Sequence, residues 1–522
     1  MPAHKPTVRV GIRAGGAVLI AAAAVLVVVP GLFVVSGVVR GVVREGLPAD
    51  WVDLGLLGRT LLAAGGTAAL AVVLGWAPAQ VARGGRVAVL LVPLLMPSYL
   101  AYAGWGLIRA PGTPIGEWLA RLGVGGAPWA PILAGRTLAV VGLALWSWPI
   151  AAVVIGAAAR RLDAGVVDAL RLEASALRRE FVLVRALARP IAAAWALVAL
   201  VMLGSAVPFH LAQLDTYAIH VWLELSLAGR DEAWRAYVAA APLLVVAVAG
   251  GWMVSSQVVR AHASAEPARA GATRGATLVA AIVWICSVVV PLVLFATSLR
   301  EVRSLVTFWR VSGAAVGNSA FDALLAGAGA TLLALASAYV LGGRPGRLTL
   351  LAIRLFVVAG LVPGVLVGSA LSETYGRFGW IGGTRVIAVM GDLTRFGMVA
   401  VLAGALAARW EPPDLRRMRR LDGAVHPGGW WCACGSAAMP VLVGAGLVVA
   451  LLSLHEIEAS VILEPPGAGS LAQALLSSLH YARDEALAAG VVQVMAAGLV
   501  LAFAAAWLVA REPPAAGPRA PR

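Results

Sequence analysis

The chain has 522 residues, of which 61% are hydrophobic and only 13% charged, with a mean hydropathy of +0.88. Soluble globular chains carry about 25% charged residues, so this composition excludes a water-soluble fold over most of the length. The net charge of +15 does not argue for nucleic acid, because the basic residues sit in short segments between apolar runs, where they set orientation in a membrane.

Apolar runs of about 20 residues are long enough to cross a bilayer. Twelve such runs centre on residues 16–39, 57–80, 87–108, 136–158, 191–211, 237–258, 276–298, 321–342, 348–371, 386–408, 440–463 and 486–510. The first is too long for the core of a signal peptide and has no convincing cleavage site, so it reads as a membrane helix. Lys5, Arg9 and Arg13 place the N-terminus inside. The even-numbered loops then carry Arg83 and Arg86, seven arginines from Arg160 to Arg189, Arg260 to Arg274, Arg344 and Arg347, and Arg409 to Arg420. The opposite loops are neutral, weakly positive or acidic, and the C-terminal tail adds Arg511, Arg519 and Arg522. The positive-inside rule therefore predicts an all-α polytopic protein of about 12 transmembrane helices, N-in and C-in.

The order of elements repeats. Leu172 and Leu421, and Pro190 and Pro440, stand about 250 residues apart, a period too long for a solenoid and suited to duplication of a whole membrane half. Arg230-Asp231-Glu232-Ala233 returns as Arg483-Asp484-Glu485-Ala486, and the Ala-rich run from Thr60 resembles that from Ala323. The predicted organisation is a tail and first helix (1–56), a first transmembrane domain (57–258) and a polar cytoplasmic linker (259–275). A seventh helix with its outer loop (276–316), a second transmembrane domain (317–510) and a Pro- and Ala-rich cytoplasmic tail (511–522) follow.

Lys5 is the single lysine, so a phosphate-binding loop ending in Gly-Lys-Ser/Thr and an intramembrane Schiff base are both impossible. If ATP drives transport here, another polypeptide hydrolyses it. Cys286, Cys432 and Cys434 lack metal-ligand spacing and read as structural. No catalytic set, metal site or cofactor motif emerges, and no enzyme is expected. Trp51, Trp105, Trp222, Trp380, Trp430 and Trp431, near run ends, read as an interfacial belt.

Seven arginines and four acids between Arg160 and Pro190 rule out a membrane span there. Val167, Leu170, Ala174, Leu177, Phe181 and Val184 nevertheless recur at spacings of three and four, which predicts an amphipathic cytoplasmic helix. Its apolar stripe docks either on the protein's own helix ends and lipid, or in a groove of a partner protein. Inside the runs, Asp392 and Arg395 share a helix face and read as a mutually neutralised pair. His210, His455, Glu456 and Glu458, near outer ends, line either a cation pathway or the water-facing edge. Pro97 and Pro363 are placed to break the third run of each half and free carbonyls, for a cavity or for a plain packing kink.

The segment from Asp168 through Leu172, Glu173 and Ala174 to Pro190, and its counterpart Leu421-Asp422-Gly423-Ala424 before Pro440, resemble the coupling segment of binding-protein-dependent ABC importer permeases. The family pattern is Glu-Ala-Ala, three residues, Gly, then a hydrophobic stretch closing on Pro. Here Asp168-Ala169-Leu170 and Ala174 depart from it in the first copy, and Arg417-Met418-Arg419 in the second. Met96-Pro97-Ser98-Tyr99 and Glu456-Ile457-Glu458-Ala459-Ser460 through Pro466-Gly467 resemble the fused, two-half ferric-iron type, whose relatives include thiamine, polyamine and phosphonate permeases. The resemblance implies a multi-pass permease of the bacterial inner membrane. It implies two cytoplasmic ATPase subunits that clasp Asp168, Leu172, Glu173, Ala174, Leu177 and Phe181 in one half and Leu421, Asp422, Gly423 and Ala424 in the other. An extracytoplasmic binding protein would deliver the solute, with ferric iron the best match. The alternatives are an ion-driven secondary transporter, using carboxylates such as Asp392, Glu456 and Glu458, and a non-transporting paralogue with eroded coupling segments.

Overall fold

The computed structural model describes residues 7–48, 51–83, 85–160, 162, 165, 169–170, 172, 175–228, 232–260, 273–342, 345–409, 413–422, 427–481 and 483–511. Among these, every regular element is helical. Six helices are long and apolar enough to cross a membrane: Gly15–Glu45, Leu54–Val81, Trp129–Ala159, Arg274–Thr297, Arg303–Leu341 and Arg385–Ala408. Four more spans are reached if each helix pair bent by 68°, 54°, 117° or 85° is counted as one. Only 22% of the apolar window of Gly15–Glu45 is buried inside the protein, at a mean hydropathy of 3.0. An apolar surface left that bare is stable in hydrocarbon and not in water, so the chain is a multi-pass membrane protein.

Two expected spans are interrupted. Residues 87–108 form Arg86–Leu90, a 3-10 turn at Val92–Leu95, Ser98–Gly106 and a second 3-10 turn at Leu107–Arg109. Residues 348–371 form Arg347–Ala359 and Gly364–Tyr375, bent by 117°. Proline is the cause in both, since it lacks an N–H and disfavours helix in the preceding residue. Pro97 (φ −51°, ψ 136°) and Pro363 (φ −51°, ψ 137°) hold the same extended geometry before the helices that follow. The outer loop expected before residue 321 is also helical, because Arg303–Leu341 runs unbroken for 39 residues.

The chain forms two compact units, Met1–Ala64 with Leu200–Ala263 and Phe308–Ala482, and Gly65–Ala199 with Ser264–Thr307 and Arg483–Arg522. Each gathers segments from both sequence halves. In the first unit, the N-terminal helix packs on Arg347–Ala359 and Gly364–Tyr375, far along the chain. A π-helical turn at Ala24–Val28 precedes Pro30 in it. Pro30 cannot donate to Leu26, whose carbonyl lies 3.3 Å from a Thr394 hydroxyl that bonds Met390 at 2.7 Å, and the Val25 carbonyl accepts from the Tyr375 hydroxyl at 2.7 Å. Leu19, Leu26, Leu333, Phe356, Val401 and Trp430 belong to the core around this contact. Trp430 is therefore a core residue, not part of an interfacial belt; it meets Tyr339 edge-on.

In the second unit, Arg274–Thr297 carries the matching π turn, Ile285–Val289 before Pro291. It packs on Ser98–Gly106. Trp148, fully buried on Trp129–Ala159, donates its indole N–H to Ser287 Oγ at 2.7 Å. Pro93 deprives the Val89 carbonyl of its helical partner, and Trp284 Nε1 supplies one at 2.8 Å; Trp146 Nε1 does the same for Met96 at 2.7 Å.

One hydrogen bond occurs twice within the first unit. The Tyr217 amide, opening Tyr217–Leu227, donates to Thr60 Oγ1 at 2.8 Å, and the Leu471 amide, opening Leu471–His480, donates to Ser319 Oγ at 2.8 Å. Both are first-turn amides with no helical acceptor. Thr60→Val and Ser319→Ala should each destabilise the protein by about 1–3 kcal/mol, the cost of stranding a buried donor. Thermal unfolding in detergent measures this, with the exposed Thr307→Val as the control expected to be neutral.

Candidate functional site

The segment between Arg160 and Pro190 contains the helix Ala176–Ala186, which begins where Ser175 Oγ accepts the Arg178 amide. Residues 169, 170 and 172 are helical too, so the expected helix is interrupted at Ser175, whose side chain competes with helix for its own backbone. One face is anchored: Glu180 accepts from Trp76 Nε1 at 2.9 Å and Gln80 Nε2 at 3.3 Å, and pairs with Arg179 at 3.0 Å. The apolar face is bare, with Phe181 68% and Val184 44% exposed, and Leu172 nearby in sequence 87% exposed. The bend of 68° to Ala188–Leu203 sets the segment off from the span that follows. Leu177 lies on this helix. Asp168, Glu173 and Ala174 lie outside the described residues.

The second segment is the helix Pro413–Leu421, with Met418 and Leu421 exposed and Asp422 exposed in the turn after it. Gly423 and Ala424 lie outside the described residues. Neither Glu180 nor its two anchors stood out in the sequence; an acid four residues before an apolar stripe position has many possible partners.

A charged cluster lies inside the first unit. Arg395, on Arg385–Arg409, bonds Glu456 through Nη1 and Glu458 through Nη2, the latter at 3.0 Å. Asp392, one turn before it, accepts from the Ser453 hydroxyl. The expected Asp392–Arg395 pair is thus replaced by longer-range partners, because two glutamates from the break after Leu454 face the guanidinium together. Glu456 also accepts the Ala459 amide at 2.8 Å. Glu458 accepts the Ala206 amide at 2.8 Å, and the Gly364 amide faces the same carboxylate. Asp392, Glu456 and Glu458 are all buried, so they are not water-facing edge residues. No side chain fits at Gly364, where a Cβ would lie on the Arg395 guanidinium and 2.8 Å from Glu458 Cβ.

Of the other pathway candidates, Pro363 borders this cluster through Gly364 and Gly204, whereas Pro97 belongs to the second unit. His455 adjoins the cluster in sequence, with Nε2 shielded and lacking a hydrogen-bond partner among the described residues. His210 is exposed and stacks on His480, ring centroids 6.5 Å apart, so it stands apart from the carboxylates. Among the described residues no three His, Cys, Asp or Glu side chains converge as a metal ligand set. No protein-family model, curated protein or solved structure matches the chain.

A second acidic position lies in the loop beyond Ser460–Leu463. Burial pushes the Glu464 carboxyl up from its ordinary 4.5 to about 7; Asp322 adds to this, and hydrogen bonds from Ser470 and Gln473 oppose it. Between pH 4.5 and about 7 the folded state holds more of this proton than the unfolded state, so stability falls as pH rises through that window. Glu464→Gln should flatten the decline and raise the melting temperature at pH 8 while leaving it unchanged at pH 4. Melting curves across pH measure both.

Proposed function

We propose that the chain is the permease subunit of an ATP-driven ABC importer of the bacterial cytoplasmic membrane. It has twelve spans in two duplicated halves, N-in and C-in, moves a small solute and is not itself an enzyme. The observation that carries this reading is the helix Ala176–Ala186. It is tied down by Glu180 on one side while Phe181 and Val184 stay bare on the other. A helix held on its polar side with its apolar face bare has the form in which an amphipathic helix enters a groove of another protein. The duplication is supported by three local geometries that recur along the chain: the π turns before Pro30 and Pro291, the extended Pro97 and Pro363, and the amide–hydroxyl bonds at Tyr217 and Leu471.

In this reading two cytoplasmic ATPase subunits engage residues 160–190 and 409–440, and their ATP-dependent closure rocks the permease between outward-open and inward-open states. An extracytoplasmic protein delivers the solute. Ferric iron is the proposed solute, on the resemblance to the ferric-iron type; thiamine, polyamine and phosphonate transport are the alternatives within the same class. The buried Asp392, Glu456 and Glu458 favour a second reading, an ion-driven transporter that needs no ATPase.

Phe181→Asp and Leu177→Asp separate the two. An unpaired charge buried at a docking face costs several kcal/mol, enough to break a modest interface. Both variants should accumulate in the membrane yet lose the co-purifying ATPase, and uptake into vesicles should fall at least about tenfold. Retained ATPase and normal uptake would make these segments ordinary solvated loops and favour the ion-driven reading.

A further inference from the structure

Glu458 sits where three interrupted helices of the first unit meet. Ala206 lies in the break between Ala188–Leu203 and Val207–Leu211. Gly364 opens the helix after the Gly360–Pro363 break, and Glu458 itself lies in the break between Leu454 and Ser460. One carboxylate therefore accepts the amide of one of the other two breaks, faces that of the other, and pairs with Arg395 from an unbroken helix. Breaks are the places where a helix can change direction without losing its hydrogen bonds elsewhere, so a tie across three of them restrains motion at each.

The composition of the tie is unsuited to a static core. Arg395 is the one guanidinium facing Glu456 and Glu458, with Asp392 a turn away, and a buried ion pair replaced by packed apolar groups is often no less stable. Gly204 approaches Pro363 without a side chain, and Leu200, Leu203, Gly204, Leu243, Leu361 and Pro363 line a narrow apolar cleft there.

We propose that Glu458 is a latch: its bonds to Arg395 and the Ala206 amide close the passage between the breaks, and solute movement requires them to release. The proposal rests on the reading of the chain as a transporter but not on the ATPase. It makes Arg395 and Glu458 positioning residues of the gate, with no contact to solute implied.

The test uses the full chain in sealed, oriented membrane vesicles without ATPase or solute. Cys286, Cys432 and Cys434 are replaced by serine, and Ala206→Cys is introduced. Ala206 is 1% exposed, so a membrane-impermeant maleimide should leave the new thiol unlabelled in this parent. Glu458→Gln retains an acceptor for the residue 206 amide but removes the charge that holds Arg395, and should raise the labelling rate at least about tenfold. Glu45→Gln removes an exposed partner of Arg235 in the same unit, outside the charged cluster, and should leave labelling unchanged. If Glu458→Gln does not accumulate, Arg395→Lys replaces it, since an ammonium lacks the planar fork by which one guanidinium spans both glutamates, and the same rise is expected. Protection that persists in Glu458→Gln or Arg395→Lys overturns the latch and leaves the ATPase-docking reading intact. An equal rise with Glu45→Gln means general loosening and also overturns it.

Discussion

A helix in hydrocarbon has no water to complete its backbone hydrogen bonds, so each proline inside a span leaves a carbonyl that the protein must satisfy. This chain places prolines at positions 30, 93, 97, 291 and 363, and its tertiary structure is organised around the consequences. Val25 finds Tyr375, Val89 finds Trp284 and Met96 finds Trp146. Each of these side chains comes from a helix distant in sequence. The broken spans are thus held by specific long-range donors, and this fixes which helices lie side by side. It also explains why the N-terminal helix packs within a unit built largely from the second half of the chain, and why Arg274–Thr297 packs on elements of the first half.

The same breaks concentrate polarity. Unpaired amides at helix starts attract acceptors, and in the first unit they draw in Thr60, Ser319, Glu456 and Glu458. The two hydroxyls serve loop helices, whereas the glutamates bring charge into the bundle and require Arg395. A charge there is costly unless matched, so the three breaks and the cluster form one dependent arrangement. Gly364 belongs to it for steric reasons alone, since any side chain would meet the guanidinium.

Much of the helical layout was legible in the sequence because hydrophobic length is a local property. The expected runs 136–158 and 386–408 fall within Trp129–Ala159 and along Arg385–Arg409. Pro363 marked its break correctly. The fragmentation of 87–108 went further than Pro97 implied, because Pro93 acts with it to turn one span into four short pieces. What could not be read was pairing at a distance. Asp392 and Arg395 looked like each other's partners at i, i+3, yet their partners lie 61 residues away. Trp430 resembled its neighbour Trp431 at a run end, but Trp430 is buried and Trp431 is 44% exposed, a difference set by which face of one helix meets Tyr339. The anchored side of Ala176–Ala186 was equally hidden, because Trp76 and Glu180 are 104 residues apart.

The central claim is that force enters this chain from outside, through the bare face of a helix anchored by Glu180, and not from an ion gradient acting on its buried carboxylates. Proteoliposomes containing the chain with the proposed ATPase and binding protein decide between these sources of energy. Uptake of solute should require ATP hydrolysis and persist when proton and sodium gradients are collapsed by ionophores. Accumulation by the chain alone, sustained by an ion gradient and abolished by ionophores, would contradict the account.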